Sequence, residues 1–185
     1  KNALLVGFAD EKIPFVKEEI ENLKAIFPQR KILFGKDATF AKFKRSAPDF
    51  DIIHLACHGQ FRQDNPMFSA LRLADGFLTV RDISELRLNA ELVVLSACET
   101  GLNKVLAGDE LIGLKRGFFA AGASSLILTL WTVNDKATQS LIADFYRNLQ
   151  ADKTISNSLR IAQDNLIKQN AHPYLWSPFF LAGSW

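Results

Sequence analysis

The sequence predicts an α/β fold in which a mainly parallel six-stranded sheet carries helices on both faces. Short apolar runs alternate with amphipathic helical stretches along the chain, and this alternation is typical of parallel strands joined by crossover helices. The apolar runs are continuous, as expected for strands buried on both faces. At 185 residues, 48% of them hydrophobic, we expect a single domain over residues 1–185, because one core suffices at this size.

Six strands are predicted from these runs. Each is rich in Val, Ile, Leu or Phe and is bounded by Gly, Pro or a polar residue. In chain order they occupy residues 3–7, 31–34, 51–57, 91–98, 124–131 and 178–182.

The helices are predicted from apolar residues that recur at a spacing of three or four. Asp109 and Asp135 fit helix starts, and Gly122 fits the position just past a helix end. The predicted helices occupy residues 14–27, 39–46, 108–121, 135–149 and 154–169.

Residues 58–91 have a different pattern. The segments 70–74 and 76–80 alternate around Asp75-Gly76, and Asp-Gly between two such runs is a strong hairpin signal. One or two turns of helix should follow, with Thr79 or Asp82 as the N-cap.

The composition excludes several classes of protein. A net charge of +2 is too small to indicate direct binding of nucleic acid. Two cysteines cannot form a disulfide framework, so we expect a reducing, cytoplasmic environment. The longest uncharged stretch, 117–134, changes character at Gly122, so we expect no membrane span. The chain starts with Lys1 rather than Met, and we expect it to be an excised domain of a longer chain.

Nucleotide-binding and lipase motifs are also missing. The chain contains neither Gly-x-Gly-x-x-Gly nor Gly-x-Ser-x-Gly. We therefore expect no cofactor.

Two predicted strands end on side chains that can perform chemistry. One run ends at Cys98 and another at His58-Gly59, and the carboxyl ends of neighbouring parallel strands meet at one rim. A nearby imidazole can convert a thiol into a nucleophile. The pattern predicts a His58–Cys98 dyad that forms an acyl-enzyme, with the oxyanion on the backbone N–H groups of Gly59 and Cys98.

Other interpretations of the same residues stay open. A free cysteine is more often an inert buried residue than a nucleophile. His54 and Cys57 have odd spacing on one strand, so they should point to opposite faces and pack in the core. A zinc site of His54, Cys57, His58 and Cys98 is disfavoured, because the chain has no Cys-x-x-Cys turn and strand alternation places the candidate ligands on different faces. A Cys57–Cys98 disulfide at the rim is conceivable.

Asp135 has two interpretations. It can cap the helix that follows the fifth strand. Its carboxylate can also lie in a substrate pocket and bind a basic side chain. Both can hold at once.

Several segments in order along the chain resemble those of a known family. They read HLACHGQF at 54–61, LSACETG at 95–101, GDELIGL at 108–114, LWTVND at 130–135 and HPYLW at 172–176. Together they resemble the CHAT domain, a caspase-like cysteine peptidase family related to separases and caspases. The resemblance covers nearly the whole chain.

The resemblance implies a caspase–haemoglobinase fold and a cysteine endopeptidase whose dyad falls on His58 and Cys98. Separases carry Trp-x-Val-x-Asp after the fifth strand, and its Asp helps to bind an arginine at the cleavage site. Residues 131–135 match this pattern, which favours Asp135 as a pocket residue.

The implied partners are a protein or peptide substrate and either an upstream helical-repeat region of the same chain or a regulatory protein. Such domains lie at the end of longer chains, so the resemblance implies that this chain is the carboxyl-terminal part of one. Relatives of this kind are often inactive until a regulator binds. The alternative is a catalytically silent interaction or scaffold domain with the same fold.

Overall fold

The structure is a computed structural model that describes residues 1–9, 15–60, 62, 65–96, 109–131 and 135–184. For residues 109–111 and 135–137 it describes the backbone alone. In chain order the strands are β1 (Ala3–Gly7), β2 (Arg30–Phe34), β3 (Ile52–Ala56), β4 (Gly59–Gln60), β5 (Ala70–Leu73), β6 (Gly76–Thr79), β7 (Leu92–Leu95), β8 (Ser125–Thr129) and β9 (Phe179–Gly183). The α-helices are α1 (Val16–Ile26), α2 (Phe40–Ser46), α3 (Val80–Ser84), α4 (Asp109–Ala120), α5 (Asp135–Gln150) and α6 (Ile155–Lys168).

The main sheet has six strands in the order β2-β1-β3-β7-β8-β9. The first five are parallel to their neighbours, and β9 is antiparallel to β8. The predicted mainly parallel six-stranded sheet is therefore confirmed. The strands that lead to His58 and Cys98, β3 and β7, are neighbours, and Leu55 lies opposite Leu95.

Helices cover both faces of this sheet, as predicted. On one face α2, α3 and α4 pack on strand residues such as Val6 and Leu55. On the other face α1, α5 and α6 pack on residues such as Leu5 and Val94. Alternate strand residues thus enter two separate cores, because successive side chains of a strand point to opposite faces.

A second, three-stranded antiparallel sheet has the order β4-β5-β6. The hairpin predicted at Asp75-Gly76 is confirmed as the turn between β5 and β6. Thr79 is the N-cap of α3, and Asp82 completes a reciprocal capping box. Strand β4 was not predicted, since a two-residue strand has no periodicity to detect.

The other helix ends follow their local sequence. Helix α5 begins at Asp135, as predicted, and Thr154 caps α6 by accepting the Asn157 N–H. Gly122 lies just past α4 with φ +108°, a backbone conformation that residues other than glycine rarely adopt. None of the described helices is long and apolar enough to cross a bilayer.

Candidate functional site

His58 lies just beyond the carboxyl end of β3, at the rim of the main sheet. His58 is 8% exposed, and its backbone carbonyl accepts the Arg72 N–H at 2.8 Å. This bond ties the chain at His58 to β5. The candidate imidazole is therefore carried by anchored backbone, and its position depends on the small sheet as well as on β3.

Gly59 follows as the first residue of β4 and lies opposite Leu71. The peptide between His58 and Gly59 is trans, so its C=O and N–H point in opposite directions. Because the His58 carbonyl points at β5, the Gly59 N–H points away from β5. This direction places the N–H on the edge of β4 that lies away from β5, and Gly59 itself is buried.

Strand β7 approaches the same rim beside β3. The Ser96 N–H donates to the Leu55 carbonyl at 3.0 Å, which extends the pairing one residue past β7. Counted from the Leu55–Leu95 pair, His58 and Cys98 are each three residues further along the chain. Cys98 lies outside the described residues, so its contact with His58 and its role as an oxyanion donor stay predictions.

The proposed pocket residue is only partly described. Asp135 starts α5, but its side chain lies outside the described part. Trp131, at the start of the same motif, donates from Nε1 to the Tyr174 carbonyl at 3.0 Å. The two rings stack with centroids 5.5 Å apart. Trp131 and Tyr174, which belong to two of the segments used for the family resemblance, therefore meet beyond the carboxyl end of β8.

His54 is confirmed as a core histidine. It is fully buried, with Nδ1 3.1 Å from the Tyr146 hydroxyl and Nε2 3.1 Å from Glu19 Oε1. The sequence prediction missed both partners. A signal for Glu19 was present: it occupies the apolar face of α1, between Val16 and Leu23, where an acidic residue requires a buried partner.

Cys57 lies on the opposite face from His54, as the odd spacing predicted. It is a buried free thiol in the core beneath α2 and α4. Burial raises the pKa of the Cys57 thiol to about 12, and the Glu19 carboxylate adds to the effect. Cys57 is therefore protonated at neutral pH and unsuited to nucleophilic attack.

The zinc interpretation gains no support from this placement. His54 and Cys57 are separated by the sheet, and within the described ranges no group of three or more His, Cys, Asp or Glu residues could hold a metal ion.

Stability should fall at alkaline pH because Cys57 keeps its proton in the folded state. The ordinary thiol pKa of 9.0 becomes about 12, so between these values the unfolded chain loses a proton that the folded chain retains. Rising pH therefore favours unfolding, and the expected loss in unfolding free energy between about pH 8 and pH 10 is about 1.4 kcal/mol. Urea denaturation at both pH values measures it.

Cys57→Ala is the control for this prediction. It should be less stable at neutral pH because of the cavity, but its stability should change less with pH. The pKa of Tyr146 is also raised by burial. This adds to the loss of unfolding free energy only above about pH 10, and it does so equally in the wild type and in Cys57→Ala. If the unfolding free energy falls equally in the wild type and in Cys57→Ala, the loss is not caused by Cys57.

Comparison with known proteins agrees with this architecture. The family model described as the CHAT domain matches residues 2–184. The chain is similar to Tetratricopeptide repeat protein 28 of Mus musculus and of Homo sapiens, with 34% identity over 116 residues in each case. The match covers 60% of this chain and 5% of each relative. The chain therefore matches a small part of two much longer tetratricopeptide repeat proteins.

Proposed function

The chain belongs to the CHAT domain family, a caspase-like family, and from this premise we propose that it is a cysteine endopeptidase that cleaves a protein substrate. The observation that carries the proposal is the placement of His58-Gly59. His58 lies at the end of β3, beside the strand that leads to Cys98, and the Gly59 N–H points outward from β4. A base, the strand leading to a thiol, and an outward N–H occur at one rim.

The proposed reaction has two half-reactions. His58 takes the Cys98 proton, Sγ attacks the scissile carbonyl carbon, and the oxyanion is bound by the N–H groups of Gly59 and Cys98. The C–N bond breaks as the imidazolium gives its proton to the leaving amine. Water, deprotonated by His58, then attacks the thioester and releases the acid product, which regenerates the thiol.

The equal offsets of His58 and Cys98 from the Leu55–Leu95 pair support this pairing. In parallel strands, residues at equal offsets remain side by side as long as the register continues. Ser96 continues it by one residue. We propose that the two chains stay close enough beyond that point for the imidazole and thiol to meet.

The proposed regulator is a helical-repeat region, either upstream in the same chain or in a separate protein. The two relatives are named for tetratricopeptide repeats, which agrees with such an arrangement. We propose the cytoplasm as the site of action, because a thiol nucleophile persists in a reducing compartment.

We propose Asp135 as the pocket residue that selects a basic side chain before the scissile bond. The wild-type chain, supplied with its repeat region or regulator, should cleave coumarin-amide peptides ending in Arg or Lys roughly tenfold to 100-fold faster than those ending in Gln, from one charge-assisted hydrogen bond. Asp135→Asn should remove most of this ratio.

Asp144→Asn is the matched control for Asp135→Asn. Asp144 lies on the same helix, where it pairs with Arg147 at 2.8 Å and accepts from the Asn165 amide of α6, so its replacement should leave the selectivity unchanged. If Asp135→Asn keeps the wild-type ratio, Asp135 serves the helix start alone. If no peptide in the panel is cleaved by the regulated wild-type chain, the endopeptidase proposal fails.

The burial of His58 favours a second candidate, a catalytically silent interaction domain. Because the His58 residue is only 8% exposed, its side chain can have a packing role at this rim without contacting substrate. The two candidates share one fold, so reactivity of Cys98 separates them. A silent domain predicts slow alkylation of Cys98 with no dependence on His58.

A further inference from the structure

The segment that leaves His58 is attached to the small sheet by the pairing of Gly59 and Gln60 with β5 and by two further hydrogen bonds among the described residues, one on each side of that pairing. The first is the Arg72 N–H, which donates to the His58 carbonyl at 2.8 Å. The second is Ser69, whose side-chain Oγ accepts the Arg62 N–H at 3.1 Å. The described part of β4 is Gly59–Gln60, and the Ser69 hydroxyl accepts from Arg62, two residues further along the chain.

Ser69 is itself held firmly. It is fully buried, its N–H donates to the Pro66 carbonyl, and its carbonyl accepts the Val80 N–H, both at 3.1 Å. Val80 is the first residue of α3, whose start is closed by the Thr79–Asp82 capping box. Both backbone hydrogen bonds of Ser69 hold it in the segment that leads into α3. Its hydroxyl is therefore held in place as the acceptor of the Arg62 N–H.

Resting on the function proposed above, we propose that Ser69 is a positioning residue for the catalytic segment 58–62. Arg72 holds the near end of this segment and the Ser69 hydroxyl holds the far end. Gly59 lies between these two hydrogen bonds, and we expect both of them, together with the pairing of β4 with β5, to hold the direction of its N–H.

The physical reason lies in the length of β4 and in the nature of Gly59. The described part of β4 is shorter than most strands, and glycine has more backbone freedom than any other residue. Without the Ser69 acceptor, fraying should spread from Arg62 back to Gly59. An oxyanion donor acts by being oriented before the reaction, so the loss should appear in the chemical step and leave substrate binding unchanged.

The test uses the wild-type chain with its regulator and three variants at two serines. Ser69→Ala removes the acceptor, Ser69→Thr retains a hydroxyl, and Ser84→Ala removes the hydroxyl that donates to the Arg81 carbonyl in nearby α3. Two measurements are made: hydrogen exchange of the amides in 58–62, and kcat and KM for the Arg-coumarin peptide. Ser69→Cys, similar in size and a weak acceptor, replaces Ser69→Ala if that variant does not fold.

We expect Ser69→Ala to exchange faster across 58–62 and to lose roughly tenfold or more in kcat, since removal of an oxyanion donor outright costs about 100-fold to 1,000-fold. KM should stay within about twofold, because the change affects only the transition state. Ser69→Thr should recover most of kcat, and Ser84→Ala should match the wild type.

Unchanged exchange across 58–62 in folded Ser69→Ala overturns the attachment, and faster exchange with unchanged kcat overturns the positioning role. A rise in KM alone also overturns it. Failure of the proposed function looks different: the wild type itself does not turn over and Cys98 does not label with iodoacetamide. In that case the positioning role of Ser69 in catalysis is also excluded, whatever the hydrogen exchange of residues 58–62 shows.

Discussion

Replacement of Cys98 by alanine should abolish cleavage of every peptide that the wild-type chain cleaves, a loss of about 1,000-fold or more, because removal of the nucleophile removes the thioester pathway. Folding should be little affected, with a change in unfolding free energy of about 1–2 kcal/mol, as for a modest change at one site. The measurement is turnover of the Arg-coumarin peptide, with the urea midpoint as a check on folding.

Cys57→Ala is the matched control for Cys98→Ala. It removes the other thiol of the chain, which is buried in the core and has a raised pKa, so it should lower stability and keep kcat. An Arg-chloromethyl ketone should add to Cys98 of the wild type and of Cys57→Ala, as seen by the mass of the modified peptide. Cleavage retained by Cys98→Ala would exclude the dyad mechanism.

Replacement of His58 by alanine should have the second largest effect, a loss of roughly 100-fold to 10,000-fold in turnover, the usual contribution of a general acid–base group. The same change should slow alkylation of Cys98 at neutral pH. In the wild type the midpoint of the iodoacetamide rate against pH should lie below the ordinary thiol pKa of roughly 8.5 to 9, because a cationic imidazole favours the thiolate. In His58→Ala the midpoint should rise to the ordinary value.

Cys57 provides an internal control in this experiment. Its raised pKa, about 12, predicts slow labelling at every pH where the protein is folded, in both the wild type and His58→Ala. His172→Ala controls for loss of an imidazole, since His172 lies in another segment, where Nδ1 accepts the Tyr174 N–H. Equal Cys98 midpoints in the wild type and His58→Ala would remove His58 from the dyad.

Slow labelling of both cysteines in the regulated wild-type chain would favour the silent interaction domain. The same result in the chain alone, followed by fast labelling of Cys98 when the repeat region or regulator is added, would instead support gating.

The local patterns of the sequence determined the elements of this fold and several of their ends. The continuous apolar runs, the Asp75-Gly76 turn, the Thr79 cap and the start of α5 at Asp135 are all properties of a few neighbouring residues. Periodicity alone also separated His54 from Cys57, because successive strand residues face opposite sides. The position of His58-Gly59 at the rim was predicted from the end of the apolar run, because the carboxyl ends of neighbouring parallel strands lie at one rim.

The tertiary structure decided which of these residues touch. His54 meets Tyr146, 92 residues later in the chain, and the direction of the Gly59 N–H depends on Arg72 in another strand. Neither contact leaves a periodic pattern, and Ser69 resembles any other serine in a turn. The physical reason is that helices and strands reflect the preferences of adjacent residues, whereas hydrogen bonds between distant segments form only when the whole chain packs.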